Sequence, residues 1–276
     1  MTITAHDRSE TFAANRAVGG VSLSVRAAGG FTRRARVHEH GSLRARFPGA
    51  SARELEAVII NTAGGIAGGD RFDFDLSVGA GASLVVTTAA AEKVYRSLGP
   101  DATIGVKLDV AAGASLAWLP QETILFDRAR LARSIDVDLA PDGRLILAEA
   151  IVFGRTAMDE SVVEGRLADR WRVRRDGRLV FAEGVRLDGA IAGKLAAAAV
   201  ARGGVAVATV MSVPGEDVFV EAVRALDGLR GEVGASAWNG IAVARLVAED
   251  GAALRHDLMM VLAALRGTAL PRLWLN

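Results

Sequence analysis

Four histidines, His6, His38, His40 and His256, and no cysteine are what this chain of 276 residues offers to a soft or borderline metal. His38 and His40 lie two apart, so a strand would present both on one face, a geometry open to a divalent cation. Two imidazoles alone make a weak site, and with Arg33, Arg34, Arg36 and Glu39 beside them the segment reads first as a solvated strand face. His6 falls in an expected flexible terminus, and His256 on the polar side of an expected helix. Without cysteine, disulfides, thiolate zinc sites, iron–sulfur clusters and thiol nucleophiles are excluded.

The most conspicuous local feature is Asn61-Thr-Ala-Gly-Gly-Ile-Ala-Gly-Gly-Asp70, in which Gly64-Gly65 and Gly68-Gly69 precede an aspartate. As a phosphate cradle it fails. No Gly-Lys-Ser/Thr ending follows, and the pattern after it is that of a strand, so no helix N-terminus is offered to an anion. Composition supports a turn between strands, because glycine reaches positive φ and permits close backbone approach. A dinucleotide fingerprint, His-Glu-x-x-His and a Gly-x-Ser-x-Gly elbow are also absent. Lys93 and Arg96 flank Tyr95, the sole tyrosine, a cluster suited to a partner contact or to a buried anchor. The catalytic alternative is a carbohydrate-active β-helix enzyme with paired carboxylates such as Asp70 and Glu160 as general acid and base. Such clefts use aromatic platforms, and aromatics are only 5% of this chain.

The elements that must position these residues are mostly strands. Arg71-Phe-Asp-Phe-Asp-Leu-Ser-Val78 alternates strictly, placing Phe72, Phe74, Leu76 and Val78 on one face. The alternation returns at Ile104–Val110, Ile135–Leu139 and Trp171–Val173. Four related strand-turn-strand units centre on Gly81, Gly113, Gly143 and Gly177, at spacings of 32, 30 and 34 residues (113−81, 143−113, 177−143). Self-similarity of that period marks stacked units, each unable to bury its apolar face alone. The fold predicted is a layered β-helix or solenoid-like array of hairpins; unrelated hairpins in an ordinary sandwich are the alternative.

Helical periodicity appears late. Val218, Phe219, Ala222, Val223 and Leu226 predict an amphipathic helix near 216–228, and Leu254, Leu258, Val261, Leu262 and Leu265, behind Asp250 and before Gly267, predict a second over 251–266. An alanine-rich stretch, Lys194 to Ala201, suggests a third. We expect a flexible segment 1–18 and a single domain over 19–276, since no Pro/Ser-rich linker intervenes. Lys+Arg of 33 against Asp+Glu of 32 leaves +1, far from the basic stripe a nucleic-acid binder needs. Neither a secretory signal nor an apolar run of about 18 residues is present, so a soluble, cytoplasmic protein is expected. Hydrophobic content of 51% with mean hydropathy +0.27 points either to apolar surface covered by a partner or to alanine-rich composition.

Four segments in order carry a family pattern: Asn61 to Asp70; Leu84-Val-Val-Thr-Thr-Ala-Ala-Ala-Glu-Lys-Val-Tyr-Arg-Ser97; Trp118-Leu-Pro-Gln-Glu-Thr-Ile-Leu-Phe126; and Glu149 with Phe153-Gly-Arg-Thr-Ala-Met-Asp-Glu160. Together with the ending Pro271-Arg-Leu-Trp274, the chain resembles the urease accessory protein UreD (UreH) family from about Gly19 onward. Where that family often has His or Pro-Pro before the glycines, this chain has Asn61-Thr62-Ala63, which removes one possible nickel ligand. The resemblance implies a non-enzymatic assembly role. It implies binding to the urease apoprotein and a UreF-like protein, joined by a UreG-like GTPase, with transient Ni²⁺ and no tightly bound cofactor. In or beside the motifs stand Gly64, Gly65, Gly68, Gly69, Lys93, Tyr95, Arg96, Pro120, Gln121, Glu122, Gly154 and Arg155 as motif or structural residues. A nickel route would use Asp70, Glu149, Glu160 and Glu183, with Thr87 and Thr88 as neutral wall, since carboxylate and water ligands release a borderline cation that thiolates would trap. Structural ion pairs of Glu149, Glu160 and Glu183 with Arg155, Arg166 or Arg186 are the competing reading, as are ordinary ladder threonines.

Overall fold

The computed structural model describes residues 16–49, 53–155, 158 and 160–275. Most of the expected flexible segment, and His6 with it, lies outside the described residues. Ala17 and Val18 are held: the Ala17 amide donates to Asp70, and Val18 opens a strand.

Among the described residues the chain forms two facing sheets. Sheet A runs in the order β14 (Arg178–Ala190), β13 (Glu164–Arg175), β11 (Arg130–Leu139), β8 (Ala102–Val110), β5 (Arg71–Val78), β1 (Val18–Ala28) and β2 (Phe31–Gly41). Sheet B runs β16 (Glu232–Trp238), β17 (Ile241–Ala248), β15 (Ala206–Val213), β12 (Arg144–Phe153), β9 (Ser115–Leu119), β6 (Ser83–Thr88), β4 (Glu54–Asn61) and β3 (Leu43–Arg46). β5, β8, β11 and β13 pair in parallel in one sheet, and β4, β6, β9 and β12 in the other. The chain therefore coils, crossing from sheet to sheet on each lap. A narrow third side stacks Ile66, β7 (Glu92–Val94), β10 (Thr123–Leu125) and the end of β12, all parallel. This is the solenoid-like array the glycine period predicts.

The turns stack as well. The Gly81 amide donates to the Ala112 carbonyl (3.0 Å), Ala140 to Val110 (2.9 Å), and Asp176 to Leu139 (2.9 Å). Turns at Gly81, Gly113 and Gly143 pass the chain from sheet A to sheet B, whereas Asp176-Gly177 reverses it within sheet A, where β13 and β14 pair antiparallel. Beyond β12, the strands β15, β17 and β16 extend sheet B antiparallel.

Alternation fills the space between the sheets: Phe72, Leu76, Leu108, Leu131, Ile135 and Leu147 are each at most 1% exposed. Phe74 is only half-buried and meets Trp118 edge-on at 5.7 Å. Sheet B is apolar on its outer face too, and there it is covered by α2 (Asp217–Arg224) and α3 (Gly251–Arg266), residues of which pack with Val85, Ala117, Leu119, Ala148, Ala150 and their neighbours. Much of the high hydrophobic content is thus consumed by this second core. Leu254, Leu258, Val261 and Leu262 of α3 are fully buried, which stabilises the layer by roughly 1.5–3 kcal/mol per side chain. Asp250 caps α3 by accepting from the Ala253 amide (2.8 Å), and Gly267, at φ +61°, ends it, as its sequence signals require.

The other helices are shorter than their patterns. α2 stops at Arg224 and buries Phe219, Val220 and Val223 while Val218 points to solvent, so its stripe is turned by one residue from the predicted one. The third helix, α1 (Ile191–Ala196), precedes most of the alanine-rich run; 197–203 is a series of turns, because once Ile191 and Leu195 are buried no apolar stripe remains to hold a helix. No helix among the described residues is long and apolar enough to cross a membrane.

Candidate functional site

The motif segments meet along the third side. Ile66 donates to the Lys93 carbonyl (2.7 Å) and Tyr95 to that of Ile66 (2.8 Å); Glu92 donates to Glu122 (2.8 Å), Phe126 to Val94 (3.0 Å) and Gly154 to Leu125 (2.8 Å). Tyr95 is half-exposed, donates its hydroxyl to the Gly64 carbonyl (2.8 Å) and stacks edge-on against Phe126 at 5.2 Å. The Arg155 guanidinium lies over the Phe126 ring, 4.1 Å from its centre. The glycines serve this packing: a Cβ on Gly65, at φ +149°, would stand 2.4 Å from the Tyr95 ring, and one on Gly68 2.0 Å from the Ser97 hydroxyl. Lys93 and Arg96 are exposed, the latter pairing its backbone with Ala129.

Three of the sequence-predicted route residues serve this framework and line neither of the interior cavities described below. Asp70 is buried and accepts from the Ala17 (2.8 Å) and Ala67 (2.7 Å) amides, stapling the glycine loop to the start of β1. Glu160 forms a two-pronged pair with Arg155 (2.7 and 3.1 Å). Thr87 alternates with Thr88 along β6, so it shares the face of Val85 under the helices; it is fully buried and its hydroxyl has no partner among the described residues. Glu122 and Gln121 instead accept from Arg255 of α3 (2.8 and 2.6 Å), which also donates to the Trp274 carbonyl (3.0 Å). That hub docks the C-terminal segment.

Thr88, Glu149 and Glu183 do line the interior, and strand register places Glu149 and Glu183 in one transverse seam. In sheet B, Glu149, Thr209 and Arg245 are successive register partners across β12, β15 and β17. In sheet A, Arg133 is opposite Asp169, and Trp171 opposite Glu183. The sheets meet at Arg133, whose guanidinium grips both Asp169 oxygens (2.6 and 3.1 Å) and pairs with Glu149 across the gap. Trp118 donates its indole N–H to Glu149 (2.8 Å) and Trp171 to Asp169 (3.2 Å). On one side of this triad lies a cavity of about 210 Å³ reaching Thr209, Glu183 and Arg245. On the other lies one of about 50 Å³ bounded by Thr88, Glu92, Pro120, Gln121 and Thr123. The seam ends outward at the Glu183 and Arg245 pair (2.6 and 2.8 Å), and inward at Glu92, whose two oxygens accept from Asn61 (3.1 and 3.2 Å).

Burial dominates the electrostatics. Desolvation pushes Glu149 above the usual carboxylate range, against the opposing pull of Arg133 and the Trp118 indole. For Arg133, burial favours the neutral form, but Asp169 and Glu149 outweigh it and hold the guanidinium charged above its ordinary value. Glu92 is raised to about 7 by desolvation, with the Asn61 hydrogen bonds and Lys93 opposing. Among the described residues no three of His, Cys, Asp and Glu gather closely enough to hold a metal ion. The seam is therefore a series of separate carboxylates, with Glu149, Asp169 and Glu183 each paired to an arginine and Glu92 held by the Asn61 amide.

Sequence reasoning missed Arg133, Asp169, Glu92 and Arg245. A signal was present for two of them: Arg133 falls between Leu131 and Ile135, and Asp169 between Leu167 and Trp171, each in the inward phase of its strand, as Glu149 does between Leu147 and Ile151. A charge in the core phase must be paired inside.

Comparison with known proteins agrees with the motifs. The family model described as UreD urease accessory protein matches residues 17–275. A urease accessory protein UreD of Rhodopseudomonas palustris (strain ATCC BAA-98 / CGA009) is 58% identical over 276 residues, covering 100% of this chain and 99% of that protein. Another from R. palustris (strain BisB18) is 59% identical over 266 residues, 96% of each, and one from Bradyrhizobium diazoefficiens is 56% identical over 269 residues, 97% of each. This chain belongs to the urease accessory protein UreD family.

Proposed function

We propose that this protein acts in urease maturation as a binding and assembly factor in the cytoplasm, engaging the urease apoprotein with UreF-like and UreG-like accessory proteins, and that nickel crosses it as cargo along the interior seam. The observation that carries the nickel step is the seam itself. Thr88, Glu149, Asp169 and Glu183 border two cavities on either side of one charged triad. Successive weak sites favour passage, since each attracts a divalent ion without trapping it. Arg133 and Arg245 keep the carboxylates oriented and compensated when no cation is present, so the interior does not carry an unpaired buried charge. Asp70, Thr87 and Glu160 hold the framework in this reading. The carbohydrate-active alternative finds less support: Asp70 is buried under two backbone amides and Glu160 is paired with Arg155, so both carboxylates serve contacts that hold the framework.

The test is nickel per urease active site after co-expression, with a pull-down to establish that partner binding is intact. Thr209→Leu obstructs the larger cavity without removing a charge, and Glu149→Gln with Glu183→Gln weakens two attractive points at once. Each is expected to lower nickel content while partners still bind, with the single Gln variants losing less. Full metallation by both would refute the route.

A further inference from the structure

We infer that the Glu183 and Arg245 pair is a gate: a side-chain strap across the open edge of the sandwich that controls access of solvent and small cations to the larger cavity. The two residues belong to different sheets. Glu183 stands on β14, the edge strand of sheet A, and Arg245 on β17, and their two-pronged contact (2.6 and 2.8 Å) bridges the sheets at the rim of the cavity whose floor is Arg133, Glu149 and Asp169. Rim and floor differ sharply. The Arg245 side chain is 54% exposed, whereas those of Arg133, Glu149 and Asp169 are 3%, 5% and 8% exposed.

The strap has somewhere to go. The register partner of Arg245 on β16 is Gly234, and a Cβ there would meet nothing within 4 Å, so the guanidinium has free space over the edge strand beside it. Among the described residues its one further hydrogen bond is a long one to the Thr209 hydroxyl (3.4 Å). Among the described residues no second carboxylate anchors it, in contrast to Arg133, which is pinned by two. A two-pronged pair with one exposed partner, Arg245 at 54% against Glu183 at 16%, biases its closed state by up to about fivefold, weak enough to open in ordinary fluctuation. A divalent ion competing for Glu183 releases Arg245 outward, so an arriving cation would open the strap by taking its anionic half. This last step rests on the nickel reading; the gate itself does not.

The chain has no cysteine, so a single introduced thiol reports access without background. Ile151→Cys places one on the cavity wall, at a position 6% exposed, and Val137→Cys places a control in the core at a fully buried position outside the cavity. The readout is the rate of alkylation by iodoacetamide in the full-length protein. Glu183→Gln or Arg245→Met is expected to raise the rate at position 151 by up to about fivefold, leaving position 137 slow. The exchange Glu183→Arg with Arg245→Glu is expected to restore the slow rate, and Gly234→Leu, which fills the swing space, to slow it further. An unchanged rate at 151 when the pair is broken overturns the gate, as does an equal rise at 137, which would mean general loosening. Because the probe is a neutral alkylating reagent, a working gate with no effect on urease nickel would sink the route and not the gate.

Discussion

Removing Arg133 alone should be among the most damaging single substitutions in this protein, and removing the whole triad's charge should not. Arg133→Met leaves Glu149 and Asp169 facing each other, buried between the sheets without their cation. Breaking one partner out of a buried ionic group costs about 3–5 kcal/mol. A bound on the cost follows from protonation: a carboxyl that gives up its charge at pH 7 loses about 4 kcal/mol, roughly three pH units at 1.36 kcal/mol each, and only about 1.4 kcal/mol at pH 5. In the variant Glu149, already raised by burial, loses the opposing pull of Arg133, so the stability tied to its proton is present at low pH and lost as pH rises through its folded value. The penalty of Arg133→Met should therefore shrink from about 3–5 kcal/mol at pH 7 to about 1–2 kcal/mol at pH 5. Adding Glu149→Gln and Asp169→Asn removes the stranded charges yet keeps an acceptor for each indole N–H, which apolar replacements would orphan. The triple variant should regain most of the lost stability. Urea unfolding at both pH values decides the matter. A single-variant penalty below about 1 kcal/mol, or one independent of pH, would refute the account of the triad.

Glu92 has a folded value of about 7 against 4.5 unfolded, so the folded protein holds an extra proton between those values and stability falls as pH rises through that window, by up to about 3 kcal/mol; Glu92→Gln should flatten that part of the urea-midpoint profile. Asp70→Ala strands two backbone amides and should cost about 1–3 kcal/mol in thermal or urea unfolding, while nickel delivered per folded molecule stays at the wild-type level. Gly65→Ala drives a methyl into the Tyr95 ring at a positive φ, and should expose Tyr95, read as faster limited proteolysis of the 61–70 loop; unchanged cleavage would mean the ring simply moves aside.

Periodicities that belong to consecutive residues were readable without a structure. Two-residue alternation marked β5, β8 and β11, Asp250 and Gly267 marked both ends of α3, and the spacing of Gly81, Gly113 and Gly143 marked the coil, whereas Gly177 of the same series opens an antiparallel hairpin. Alternation also separates Thr87 from Thr88, since neighbours on a strand point to opposite faces. What only the tertiary structure decided is who meets whom. Arg133 and Glu149 are 16 positions apart, Glu183 and Arg245 62, and Asn61 and Glu92 31. Nothing in the sequence between them states the registers that bring β12, β15 and β17 into one row. The arginines expected to pair with the route carboxylates were right in kind and, apart from Arg155 with Glu160, wrong in identity. A salt bridge across two sheets is set by how many residues each lap of the coil contains, and that count becomes a contact only when the laps are stacked.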